Sequence, residues 1–150
     1  GDFISLNVHG DLTDIVVSKN GLCIFTSSLT YGINTLLRKV QSTLKNTSAT
    51  SDSLISLLYG GKLEESEEKR VRKFIDPIVN GWVSEFMKVI SSLAKLDSRL
   101  QIPRIIYLSS NDHEQVFKGA LTSYHDNGIN FEVISYENTD MYMLALKSML

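Results

Sequence analysis

The segment Phe3–Tyr31, FISLNVHGDLTDIVVSKNGLCIFTSSLTY, constrains the fold more than any other part of the chain. Three short runs rich in apolar and β-branched residues, Ile4–Val8, Leu12–Ser18 and Gly21–Ser27, are separated by Gly10-Asp11 and Asn20-Gly21. Asn-Gly between two such runs signals a hairpin, because both central positions of a type I′ turn need positive φ. The segment reads as a three-strand antiparallel meander. Ile33, Leu36, Leu37, Val40 and Leu44 then recur at helical spacing and predict a helix over Asn34–Lys45.

The polar stretch Asn46–Ser53 reads as loop and helix start, with Thr50, Ser51 or Asp52 as N-cap, leading into a short helix Ser53–Tyr59 that stops at Gly60-Gly61. The charged run Lys62–Lys73 reads as a solvated turn entering a helix, acids first and bases after, which suits the helix dipole. Asp76-Pro77 predicts an interruption and a fresh helix start, with Asp at the N-cap and Pro at the first helical position. From there Ile78, Trp82, Phe86, Val89, Ile90 and Leu93 form one stripe to about Asp97, with Trp82 and Phe86 read as core. Ile102–Ser109 is a buried strand by its continuous apolar centre. Ser110, Asn111 or Asp112 is expected to cap a helix His113–His125 that ends at Asn127-Gly128. A strand Ile129–Ser135 and a packing helix Met141–Leu150 complete the order β-β-β-α-α-α-β-α-β-α.

At 150 residues, 43% of them apolar, the chain has the size of one domain with a proper core. Its formal charge is −2 and its bases alternate with acids, so a nucleic-acid surface is not expected. No apolar run approaches the roughly 20 residues of a spanning helix, and no segment reads as a signal peptide. Cys23 is the single cysteine, which excludes an internal disulfide; in a predicted strand it reads as a small buried hydrophobe. The chain opens on Gly1-Asp2 without a Met, as an excised domain would.

The residues N-V-H-G-D-L-T-D-I-V-V at 7–17, the following Asn20-Gly21, and L-T-Y-G-I-N-T-L at 29–36 resemble the second phosphate-binding hairpin of actin-like ATPases. The pattern is closest to the type IV pilus assembly protein PilM and the cell-division protein FtsA. The resemblance implies a ribonuclease-H-like α/β fold: a three-strand antiparallel meander, then alternating helices and strands, giving a mixed five-stranded sheet flanked by helices. It implies that residues 1–150 form a single domain, the second half of a longer actin-like chain. In such a hairpin a glycine turn lets backbone N–H groups approach a phosphate, and a strand-end carboxylate serves a metal or the attacking water. Gly10, Thr13, Asp14, Gly32 and Asn34 match the motif, whereas Asn7 replaces the strand-end Asp, His9 and Asp11 replace glycines, and Ile33 replaces the second Gly before Asn34. Pro77 and Glu85 match a proline and a glutamate of the family's long helix. Ser53 and Ser56 fall where the family holds the nucleoside with Glu and Lys, and Ser109-Ser110 falls where it has a Gly-Gly pair.

Phosphoryl transfer is mostly positioning and charge neutralisation, and these departures touch the metal ligand, the turns and the nucleoside seat together. The expectation is a degenerate actin-like ATPase without catalytic residues, resident metal or cofactor. Its vestigial nucleotide site comprises Asn7, Gly10, Asp11, Thr13, Asp14, Gly32, Asn34, Ser109 and Ser110. Asp11 as a turn residue and Asp14 as a cap or polar edge residue need no metal. The resemblance implies a cytoplasmic protein, held at the inner face of the membrane through the cytoplasmic tail of an inner-membrane assembly partner, with no direct membrane insertion. Two alternatives stand beside it: an ATPase that binds ATP and Mg through a missing half, and an FtsA-like filament subunit tethered by an amphipathic C-terminal helix. A ribonuclease-H nuclease would need several acids on one metal pair, which the first strand lacks. His9, His113 and His125 lack paired metal-ligand spacing, and His125 reads as a helix cap. Ser109-Ser110 is not in a G-x-S-x-G elbow.

Overall fold

A computed structural model describes residues 1–125 and 129–136. Strands β1 (Phe3–Val8), β2 (Thr13–Lys19) and β3 (Leu22–Leu29) form the meander, followed by helices α1 (Ile33–Leu44), α2 (Ser48–Tyr59) and α3 (Glu65–Leu96), strand β4 (Ile105–Ser110), helix α4 (Glu114–Thr122) and strand β5 (Glu132–Ser135). The five strands lie in one mixed sheet in the order β3-β2-β1-β4-β5. The β1–β2 and β2–β3 pairs are antiparallel, whereas β1–β4 and β4–β5 are parallel. This is the mixed five-stranded α/β architecture expected from the sequence. The expected helix Met141–Leu150 and the Asn127-Gly128 stop lie outside the described residues.

The Asn20-Gly21 turn takes positive φ at both residues, 53° and 77°, as a type I′ hairpin requires. Alternation along the strands then sorts the two sheet faces. Ile4, Leu6 and Val8 of β1, Ile15 and Val17 of β2, and Ile106 and Leu108 of β4 are fully buried on one face. The helices cover that face, bringing Trp82 and Phe86 of α3 and Phe117 of α4 into the same core. Trp82 packs edge-on against Phe117, ring centroids 4.8 Å apart. Phe3, Tyr107 and Tyr136 form edge-to-face pairs on the opposite side.

Several local expectations are corrected. Helix α2 begins at Ser48, not Ser53, because Thr47 is the N-cap and accepts a hydrogen bond from the Thr50 amide at 3.2 Å; Thr50, Ser51 and Asp52 lie inside the helix. The supposed loop shrinks accordingly, and Ser51, fully buried, donates to the Asn46 side chain. Helix α3 runs unbroken through Pro77. Proline removes one helical N–H and crowds the preceding turn, but Ile75 and Val79 on either side are buried, Pro77 itself faces solvent, and Glu65–Lys69, Glu68–Arg72 and Arg72–Asp76 pairs brace the first turns at 3.5, 3.1 and 3.5 Å. Tertiary packing on both sides outweighs the local breaker. Cys23 is exposed, not buried, because β3 is the outermost strand and its first residues face solvent. Helix α4 is capped by His113 in the left-handed conformation, φ 54°, rather than by Ser110, Asn111 or Asp112. The polar groups of that turn are spent on each other: Ser110 Oγ donates to the Asp112 carbonyl at 2.6 Å, and the His113 amide to the Asp112 carboxylate at 2.8 Å. Helix α4 ends at Thr122, so His125 caps nothing there and instead bonds the Asn130 side chain.

Candidate functional site

The nine residues singled out by sequence converge on one end of the sheet. Asn7 lies at the carboxyl end of β1, in register with Asp14 of β2 on one side and Ser109 of β4 on the other. Val8 pairs with Thr13 and with Ser110, so Thr13 and Ser110 complete the same row. Gly10 and Asp11 form the turn between β1 and β2, and Gly32 and Asn34 stand at the start of α1 beneath it. In open α/β sheets this end, beyond the carboxyl termini of parallel strands, is where ligands bind.

The start of α1 is locked onto the β1–β2 turn. The Ile33 amide donates to the His9 carbonyl at 2.9 Å and the Asn34 amide to the Gly10 carbonyl at 2.7 Å. The Gly32 amide donates to Thr35 Oγ1 at 3.0 Å. Free N–H groups at a helix start are what attract an anion, and here those of Ile33 and Asn34 are committed to the protein's own carbonyls. The approach is so close that a Cβ on Gly32 would lie 2.5 Å from the His9 oxygen, 2.6 Å from the Gly10 oxygen and 2.7 Å from the Leu12 nitrogen. Glycine is required there for space alone.

The side chains around the turn are also engaged. His9 Nε2 meets Asp14 Oδ2 at 2.9 Å, and Ser28 Oγ donates to Asp14 Oδ1 at 2.9 Å, so both carboxylate oxygens of Asp14 have partners. Asp11 Oδ1 accepts from Asn34 Nδ2 at 3.3 Å and lies 3.7 Å from Arg38 Nη1. Asn7 Oδ1 is sealed from solvent without a hydrogen-bond partner. It stands where a carboxylate would supply charge, and offers a neutral amide oxygen instead. At this end of the sheet the strand-end side chain is uncharged, and Asp11 and Asp14 each accept from a neighbouring donor.

Thr13 proves to be a buried tie rather than a surface ligand. Its hydroxyl donates to the Tyr31 carbonyl at 2.7 Å and accepts from Trp82 Nε1 at 3.0 Å, joining β2, the β3–α1 link and α3. Tyr31 in turn donates its hydroxyl to the Ile78 carbonyl at 2.6 Å, and burial pushes its pKa up to about 12.

Ser53 and Ser56 do not carry the contact between α2 and the β4–α4 turn. Asp52 does: its Oδ1 lies 2.5 Å from His113 Nε2. Sequence reasoning missed this pair because 61 residues separate its members and neither belongs to a spaced motif. The three histidines are dispersed, His9 to Asp14, His113 to Asp52 and His125 to Asn130. A groove of about 1080 Å³ opens elsewhere, between α3 and α4, lined among others by Arg72, Lys88, Lys95, Tyr124 and His125, and none of the nine motif residues lines it.

No protein-family model matches this chain, and a comparison with curated proteins finds no match. Solved structures do resemble it. The ethanolamine utilization protein EutJ from Carboxydothermus hydrogenoformans superposes with a TM-score of 0.59 at 13% identity, over 99% of this chain and 49% of that one. The PilM-PilN type IV pilus biogenesis complex gives 0.59 at 13% identity, over 99% and 46%. The apo pSK41 ParM protein gives 0.53 at 12% identity, over 99% and 39%. These likenesses establish an actin-like ATPase fold. The chain spans less than half the length of these structures.

Proposed function

We propose that this chain is a non-catalytic actin-like interaction domain, one half of a longer protein, that docks a cytoplasmic segment of an inner-membrane partner within a pilus or secretion assembly platform. It acts without nucleotide: its phosphate-binding hairpin has become structural. The observation that carries the reading is the commitment of the Ile33 and Asn34 amides to the His9 and Gly10 carbonyls, which removes two of the donors a phosphate would use at the head of α1. The neutral Asn7 and the engaged Asp11 and Asp14 carboxylates point the same way. The likeness to a PilM-PilN complex supports a protein partner. Among the described residues no helix is long and apolar enough to cross a membrane.

The test is calorimetric titration of the full-length protein with ATP and Mg²⁺. We expect no saturable binding. Micromolar affinity that falls on replacing Asp14 by Asn or Gly10 by Val would overturn the proposal in favour of an actin-like ATPase completed by a second half. One observation favours that second reading: two carboxylates, Asp11 and Asp14, still flank the hairpin turn. The partner claim has its own readout. A pull-down with the full-length protein as bait should retain a membrane-complex component, and retention of none overturns docking.

A further inference from the structure

A group of side chains outside the hairpin meets the requirements of a cation site. We infer that Asp52, Asp112 and His113 bind a divalent transition-metal ion, of which Zn²⁺ is the natural probe. The three donor atoms lie within 4.8 Å of one another. They come from separate parts of the chain, Asp52 from α2 and the other two from the turn between β4 and α4, so only the tertiary fold assembles them.

Two carboxylates crowd one imidazole nitrogen. Asp52 Oδ1 lies 2.5 Å and Asp112 Oδ2 3.8 Å from the same atom, His113 Nε2. A ring nitrogen carries at most one proton and serves one carboxylate well; Asp112 takes the His113 amide through Oδ1 at 2.8 Å, which leaves its Oδ2 beside the Asp52–imidazole pair with no share in the ring proton. A divalent ion at the focus satisfies both acids and the nitrogen together. Ligand atoms about 2.0–2.2 Å from a tetrahedral zinc ion stand roughly 3.3–3.6 Å apart, inside the range the three atoms already span. The imidazole is presented for this. His113 takes φ 54°, and its side chain is only 5% exposed, whereas Asp52 and Asp112 are 47% and 66% exposed. The ion would sit on a buried nitrogen at the bottom and reach solvent past the acids. One nitrogen and two oxygens form a borderline set that suits Zn²⁺, Mn²⁺ or Fe²⁺ better than the all-oxygen cages of Ca²⁺. Three protein ligands leave one position open, so the ion could hold a water or an anion as well as brace α2 against α4.

The site is independent of the hairpin and of the nucleotide question. The test is calorimetric titration of the full-length protein with ZnCl₂, repeated with Co²⁺ while visible and near-ultraviolet absorption is recorded. Wild type should bind one ion with micromolar affinity and gain melting temperature. Co²⁺ should give ligand-field bands without the thiolate charge-transfer band that exposed Cys23 would produce. Asp52→Asn and His113→Gln should each weaken binding by more than about tenfold, and His125→Gln should leave it unchanged. Asp52 is half exposed and its replacement isosteric, so that variant carries the test if His113→Gln folds poorly. Absence of saturable binding in wild type overturns the inference, as does binding that survives Asp52→Asn or is lost equally in His125→Gln.

Discussion

Thr13 shows how one hydroxyl can decide whether a motif residue is a ligand or a rivet. It sits in the strand position that matches a family pattern, yet its oxygen is wholly consumed by the Tyr31 carbonyl and the Trp82 indole. Replacing it with Val keeps the shape and strands a buried N–H, a loss of about 1–3 kcal/mol. The urea midpoint should fall accordingly, whereas Thr13→Ser, which keeps the oxygen, should lose less. Tyr31 offers a second test. Its pKa is raised by burial from 10.0 to about 12, so the folded state holds the phenolic proton more tightly than the unfolded chain. The associated stability is fully present below about pH 10, and it drains away as pH climbs toward 12, because there the unfolded state has shed the proton and the folded state has not. The denaturation midpoint should drop across that window, and Tyr31→Phe should flatten the drop.

At the scale of elements, the contact between α1 and the β1–β2 turn sets two glycines apart. Gly32→Ala forces a Cβ to within 2.5–2.7 Å of three backbone atoms that cannot step aside, and should cost about 3 kcal/mol or more. Gly10→Ala meets only the Asn34 side-chain amide, 3.0 Å away on a flexible side chain, and should be tolerated. Paired thermal melts distinguish the two. The sequence read these elements unevenly. The meander was legible because Asn-Gly dictates its turn and β-branched runs flank it. The head of α2 was not, since its first turn is built from Ser and Thr, residues equally at home in loops, and Thr47 had no signature over its neighbours. Pro77 misled because local propensity speaks before packing does: the apolar residues on either side of it decide that α3 stays whole.

Across the whole molecule, element order did not decide strand order: the meander leaves a free edge on β1 and on β3 alike, and β4 pairs with β1. The gathering of Asn7, Asp14, Ser109 and Ser110 at one sheet end was implied by the family resemblance and not by spacing. The Asp52–His113 meeting was invisible, because contacts between an α2 side chain and a turn 61 residues later leave no periodic trace. Cys23 went the other way: its strand was read correctly, but its place at the sheet's border is a property of topology, not of local sequence.

The weld between hairpin and helix has a mechanical meaning. A twelve-residue helix is about 18 Å long, and the head of α1 is pinned by two short backbone bonds to the loop above it. Loop and rod must therefore tilt as one body. A push on His9 or Gly10 at the top of the sheet would be felt at Leu44, where the rod gives way to Lys45 and the approach to α2, so the hairpin is the short arm of a lever.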